Sequence, residues 1–194
     1  MDTLDIDLSK KYTYADYLSW LDDKRRELIN GFVHLMTPAP KRKHQKISFI
    51  LGNKFYNCIN KNNCEVYTAP FDVRLPKKGE TVDEKIYTVV QPDISVICDL
   101  SKLDDRGCIG APDLIVEILS PSTAKKDMND KFDLYQEVGV KEYWIVSPND
   151  ENINVFLLDK KGKYQLIGMY AGDMEIKVNI FDNLKIKLED IFTE

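Results

Sequence analysis

The sequence is poor in the residues that most often announce metal or redox chemistry, with two histidines and four cysteines among 194 residues. Cys58, Cys64, Cys98 and Cys108 form no CxxC pair, which excludes a zinc knuckle and argues against a small disulfide-stapled scaffold. They are read as reduced thiols, with Cys98 in a strand core. No apolar run approaches the ~20 residues of a membrane helix, and the opening Met1-Asp2-Thr3-Leu4-Asp5-Ile6-Asp7 is acidic where a secretory signal is basic. A cytoplasmic location without membrane contact is expected. The prolines and glycines gather into no linker and no segment repeats, so one domain over residues 1–194 is expected. Nor is there an excess of positive charge. The net charge of -5 argues against a protein that coats nucleic acid indiscriminately. It leaves only Lys41, Arg42, Lys43 and Lys46 as a local basic cluster able to contact phosphates, although such runs are more often solvated loops.

What is present reads as a mixed α/β chain. Tyr14, Tyr17, Leu18 and Leu21 fall at helical spacing over Thr13 to Asp22, with Thr13 as the cap. Asn30-Gly31 supplies the positive φ angles of a type I′ turn between two short strands spanning Glu27 to Met36. A helix is predicted from about His44 to Asn60, with Ile47, Ile50, Leu51, Phe55 and Ile59 along one stripe. Strands are predicted over Glu65 to Leu75, Tyr87 to Ile97 and Asp113 to Leu119, the last apolar enough for burial on both faces. Lys125 to Val138 is helical and stops at Gly139. Glu142 to Val146 returns as a strand. Ile153 to Leu158, Tyr164 to Met169 and Glu175 to Val178 then read as a terminal antiparallel meander.

Two carboxylates break the apolar pattern. Asp93 lies within Val89-Val90-Gln91-Pro92-Asp93-Ile94-Ser95-Val96-Ile97, and Glu117 within Leu114-Ile115-Val116-Glu117-Ile118-Leu119. Burying an unpaired ionised carboxylate costs more than a marginally stable domain can spare, and two converging acids repel unless a cation lies between them. Alternation along the strand puts Asp113, Ile115, Glu117 and Leu119 on one face, so Asp113 and Glu117 can reach one site. Hard oxygen ligands with room for water suit Mg²⁺ or Mn²⁺. The plainer reading pairs one acid with a lysine and leaves the other at a strand end.

Gln91-Pro92-Asp93-Ile94-Ser95-Val96 is followed by Gly110-Ala111-Pro112-Asp113-Leu114-Ile115-Val116-Glu117-Ile118-Leu119-Ser120-Pro121-Ser122-Thr123. With Asp127, Lys131, Tyr135, Gly139-Val140, Glu142-Tyr143-Trp144-Ile145-Val146, the early Glu27-Leu28-Ile29-Asn30-Gly31 and His44, these segments resemble the Uma family of restriction endonucleases, within the PD-(D/E)XK nuclease superfamily. The resemblance implies a restriction-endonuclease-like α/β fold, a mixed β-sheet flanked by helices with an N-terminal hairpin and a C-terminal antiparallel meander. It implies Asp93 and Glu117 as ligands of Mg²⁺ or Mn²⁺ and Glu27 as the glutamate contributed by an early element. The superfamily lysine two residues beyond the second acid is Leu119 here. The family resemblance moves that role to Lys131 on the next helix, where it would orient the attacking water and stabilise charge developing at phosphorus. The plainer role for Lys131 is an exposed ion pair with Asp127, four residues earlier.

Asp113, Asp127 and Tyr135 are placed behind these as supporting residues, and His44, Lys41, Arg42 and Lys43 as contacts to nucleic acid. Ser120 and Thr123 read as caps of the following helix. Tyr143-Trp144 suits core packing better than stacking on an unpaired base. The expected activity is metal-dependent endonucleolytic hydrolysis of phosphodiester bonds in DNA, by a homodimer, because two related sites suit two strands. The alternative, motivated by Leu119 and the acidic charge, is a nuclease-fold protein without catalysis that binds nucleic acid or regulates. A third, weaker reading is an assembly protein that pairs through the C-terminal meander.

Overall fold

The computed structural model describes residues 6–22, 24–36, 40–59, 63–77, 79–120, 124–181 and 184–192, apart from the side chains of 124–128. The chain begins with α1 (Tyr14–Leu18), the hairpin strands β1 (Arg26–Ile29) and β2 (Phe32–Leu35), and the long helix α2 (Arg42–Ile59). Short strands follow: β3 (Glu65–Thr68), β4 (Val73–Arg74), β5 (Val89–Val90), β6 (Ile94–Ile97), β7 (Leu103–Asp104) and β8 (Gly107–Ile109). Next come β9 (Leu114–Ile118), α3 (Ala124–Val138), β10 (Glu142–Ser147), β11 (Asn152–Leu158) and β12 (Tyr164–Ala171). The small pair β13 (Glu175–Lys177) and β14 (Lys185–Lys187) ends the series.

These strands form two six-stranded sheets, ordered β2-β1-β5-β4-β8-β7 and β12-β11-β10-β9-β6-β3. The continuous strands predicted over Glu65 to Leu75 and Tyr87 to Ile97 each divide between the two sheets, around Pro70 and Pro92. Proline has no N–H to give to a ladder, so a strand is interrupted where one occurs. In the second sheet β9 and β10 are parallel, joined by α3 as the crossover that parallel strands require, while its other neighbours are antiparallel.

Local expectations hold where short-range stereochemistry decides. Asn30 and Gly31 take φ of 53° and 90° in the hairpin turn. Thr13 caps α1 in a reciprocal box with Asp16, although α1 ends at Leu18 and Leu21 is exposed. Only Tyr14 of α1 is buried, against Leu28, Val33, Ile86 and Val89. Ile47, Leu51 and Phe55 of α2 are fully buried on the second sheet, contributing about 1.5–3 kcal/mol each. The β9 strand is apolar on both faces: Leu114, Val116 and Ile118 pack with α2 and Trp144, while Ile115 packs with Tyr135 and Tyr143. Alternation puts Glu117 on the Ile115 side. Tyr143 and Trp144 are both core residues.

Two expectations are corrected. The antiparallel meander consists of β10, β11 and β12; β13 leaves it to pair with β14, and Ile176 and Ile186 join the core beneath α2. Cys64 and Cys98 are joined as a disulfide, leaving Cys58 and Cys108 as free thiols. The antiparallel pairing of β3 with β6, Glu65 opposite Ile97, brings these distant cysteines together in a way their spacing along the chain does not announce.

Candidate active site

The register of β6 against β9 brings the two strand acids together. Ile94 pairs with Val116, so continuing the ladder by one residue sets Asp93 across from Glu117, where opposed Cβ atoms stand about 4.5–5.5 Å apart. Asp93 is fastened there by the Ile118 N–H, which donates to its Oδ2 at 2.7 Å. From α2, His44 Nε2 stands 3.3 Å from the same oxygen. Glu27 arrives from β1 in the other sheet, its Oε1 accepting the Gln91 main-chain N–H at 2.8 Å.

Helix α3 closes the group. Lys131 Nζ donates to Glu27 Oε1 and Glu117 Oε1, both at 2.9 Å. Tyr135, one helical turn on and therefore on the same face, donates its hydroxyl to Glu117 Oε1 at 2.7 Å. The bonds recorded for Glu27 and for Glu117 thus each converge on a single oxygen. The exposed pair of Lys131 with Asp127 is not what the geometry uses Lys131 for. Asp127 itself lies outside the described side chains.

Burial raises the Glu117 carboxyl to about 7; Lys131 pulls it down, Asp93 and Glu27 push it up, and the Tyr135 hydrogen bond lowers it. Burial works against the Lys131 ammonium, but Glu117 and Glu27 outweigh it and raise the lysine above its ordinary value. For His44, burial also opposes the charge, and the Asp93 contact overcomes it to give a raised pKa. Burial, and then Glu117, push the Tyr135 hydroxyl well above its ordinary range, so it stays a donor. Carboxyl and ammonium both hold their protons more tightly than in water, Glu117 chiefly because it is buried and Lys131 because Glu117 and Glu27 surround it.

Among the described residues, no three His, Cys, Asp or Glu side chains are grouped as a metal cage. The carboxylate pair Asp93 and Glu117 could hold Mg²⁺, because that ion keeps most of its waters and takes one or two carboxylates with substrate phosphate.

Other candidates fall elsewhere. Asp113 shares the Glu117 face but lies four residues along β9, about 13 Å away at strand rise. Its oxygens take the Cys98 N–H at 2.7 Å and Lys141 Nζ at 2.6 Å, so it braces the far end of the strand rather than supporting the site. Lys43 pairs with Glu151 at 2.6 Å, while Lys41 and Arg42 are exposed where α2 begins. The sequence reading missed Gln91. Its side chain receives Arg25 and donates to Asp72 at 2.9 Å while its N–H holds Glu27. Its place just before Pro92-Asp93 was the only available signal. A cleft of about 330 Å³ opens beside Asp93 and His44, bounded by α2 and Arg25.

The Uma2 family, described as "Putative restriction endonuclease", matches residues 14–189. The chain belongs to this family. An uncharacterized protein of Synechocystis sp. is 29% identical to it over 171 residues, which is 86% of this chain and 85% of the relative. The crystal structure of a "putative nuclease" from Anabaena variabilis has a TM-score of 0.73 at 18% identity, covering 94% of this chain and 98% of that one. That likeness shows a shared fold, the restriction-endonuclease-like arrangement of sheet and helices. In this Uma2 protein the motif acids Asp93 and Glu117 thus stand on neighbouring strands, with Lys131 reaching them from the helix after the second acid.

Proposed function

We propose that this Uma2 protein is a Mg²⁺- or Mn²⁺-dependent endonuclease that hydrolyses phosphodiester bonds in DNA. The observation that supports it most is the Lys131 ammonium shared by Glu27 and Glu117 at 2.9 Å each, with Asp93 across the β6–β9 ladder from Glu117. Asp93 and Glu117 would hold the divalent cation, whose chemistry there is to polarise the scissile phosphate and make bound water more acidic. Lys131 has three N–H donors. Among the described residues two are taken by Glu27 and Glu117, and the third would orient the attacking water or stabilise a phosphoryl oxygen as charge develops. Glu27 keeps the ammonium in place, and Tyr135 fixes the rotamer of Glu117. His44, whose pKa Asp93 raises, would contact a phosphate oxygen.

The test is Mn²⁺ titration calorimetry on the wild type and Glu117→Gln, alongside cleavage of single-stranded circular and plasmid DNA. Binding and cleavage that are present in the wild type and absent in the variant are expected; a wild type that binds no Mn²⁺ refutes the proposal. A second reading, a binding module without turnover, draws on Lys131, which already gives Glu27 and Glu117 a counter-charge without any metal. It predicts nucleic-acid binding indifferent to chelators, and chelator-sensitive turnover would rule it out.

A further inference from the structure

We propose that the cleft beside Asp93 is a channel for an unpaired DNA strand, with bases stacking on Phe49 and Tyr56; this deepens the nuclease reading and rests on it for the choice of polymer. The cleft has Asp93 and His44 in its lining, so a strand lying in it passes directly over the proposed site of reaction. Its volume of about 330 Å³ is at the small end of ligand sites, which run from about 300 to 1,000 Å³. That is room for a single nucleotide between its walls.

The wall is the outer face of α2. Gln45, Phe49, Asn53 and Tyr56 recur at three- and four-residue intervals and line the cleft together. Phe49 is 74% exposed and Tyr56 59%, on a helix whose opposite stripe is fully buried. The two rings stand two turns apart, about 10 Å along the axis, with an amide between them. Every base offers a π face to a ring and a polar edge to an amide, so this alternation serves stacked bases, whereas a protein partner would be better served by continuous apolar surface. At Gly52 an added Cβ would meet Thr68 Cγ2 at 3.2 Å, which is how α2 and the end of β3 come close enough to form a narrow slot.

Charge agrees with this occupant. In a protein of net charge -5, Asp93 is the only acidic residue among the described residues that line the cleft. Arg25 stands in the lining, exposed Lys41 and Arg42 lie at the α2 end, and the first turn of α2 contains no acid. Among the described residues, a phosphate chain therefore finds Arg25 and His44 in the lining and a carboxylate only at the site of reaction.

The experiment is fluorescence anisotropy with a labelled single-stranded oligodeoxynucleotide and the same sequence as a blunt duplex, using wild type, Phe49→Leu, Tyr56→Leu and the double variant. Both positions are exposed, so melting temperature and Mn²⁺ binding should be unchanged. The single strand should bind more tightly than the duplex, and each substitution should weaken it about tenfold through loss of one stacked base. Equal or tighter binding of the duplex, no binding of either DNA, or no effect of the substitutions overturns the channel. So does self-association of the wild type that the double variant abolishes. Metal-dependent cleavage that ignores the ring substitutions sinks the channel and leaves the nuclease reading intact. Ring-dependent binding of single strands without metal-dependent cleavage does the reverse.

Discussion

Lys131→Met removes one ammonium and keeps an unbranched stem in its place, so the perturbation is almost purely electrostatic. The side chains of Lys131, Glu117 and Glu27 are 11%, 13% and 8% exposed, and water does not take over when the cation is gone. Removing one partner of a buried ion pair costs about 3–5 kcal/mol, and here a single removal strands two carboxylates. Protonation sets the limit on that loss. The Glu117 carboxyl is already raised to about 7 by burial against the pull of Lys131; without the lysine it rises further and is neutral at pH 6. The sign of the pH effect follows, since at pH 8 the wild-type carboxylate is mostly ionised and its attraction to Lys131 is lost, whereas at pH 6 the carboxyl is mostly protonated in both proteins and the penalty shrinks. At pH 8 the expected loss of about 3–5 kcal/mol is a fall in Tm of about 6–20 °C for a domain of this size. Thermal melts of the metal-free protein followed by circular dichroism at both pH values measure this. An unchanged Tm at pH 8, or a larger fall at pH 6 than at pH 8, would show that Lys131 is not the counter-charge that holds the site together.

Two further outcomes probe the same electrostatics and its limits. The Glu117 carboxyl is raised, so its own contribution to the stability of the metal-free protein is full below its ordinary value and is lost as pH rises through about 7. Protons and cation compete for it, and the rise in Tm caused by Mn²⁺ should therefore grow between pH 6 and pH 8 in the wild type and vanish in Glu117→Gln. Glu142→Ala should separate a structural acid from the site. It leaves the Asn179 and Ile180 N–H groups and the Trp144 indole N–H without their acceptor, at about 1–3 kcal/mol per buried group, while Mn²⁺ affinity of the folded protein is unchanged. Urea unfolding and calorimetry on the same preparation measure both quantities.

Patterns obeying local stereochemistry were readable from the residues alone. The period of two in β9 put Glu117 on the opposite face from Leu114, Val116 and Ile118. The 3.6-residue stripe of α2 separated Ile47, Leu51 and Phe55 from the exposed Phe49 and Tyr56. Asn30-Gly31 determined the hairpin, and the motif around Asp93 and Glu117 indicated the family. Each depends on neighbours a few residues apart, where sequence order and spatial order coincide.

Tertiary structure alone decided which acids share a site. Glu117 and Glu142 look alike in sequence, both charges in apolar strands, yet Glu142 meets four N–H donors from Trp144, Asn179 and Ile180 while Glu117 meets a lysine, a tyrosine and another acid. Asp113 is on the correct face of β9 and still too far along it. Lys131 reaches Glu27 across 104 residues, joining from α3 two acids that stand in different sheets. The Cys64–Cys98 bridge and the split of two predicted strands at Pro70 and Pro92 are likewise products of strand pairing. Periodicity determines which face a side chain occupies, but the partner it meets there is set by contacts between segments far apart in the chain, and no local pattern encodes that distance.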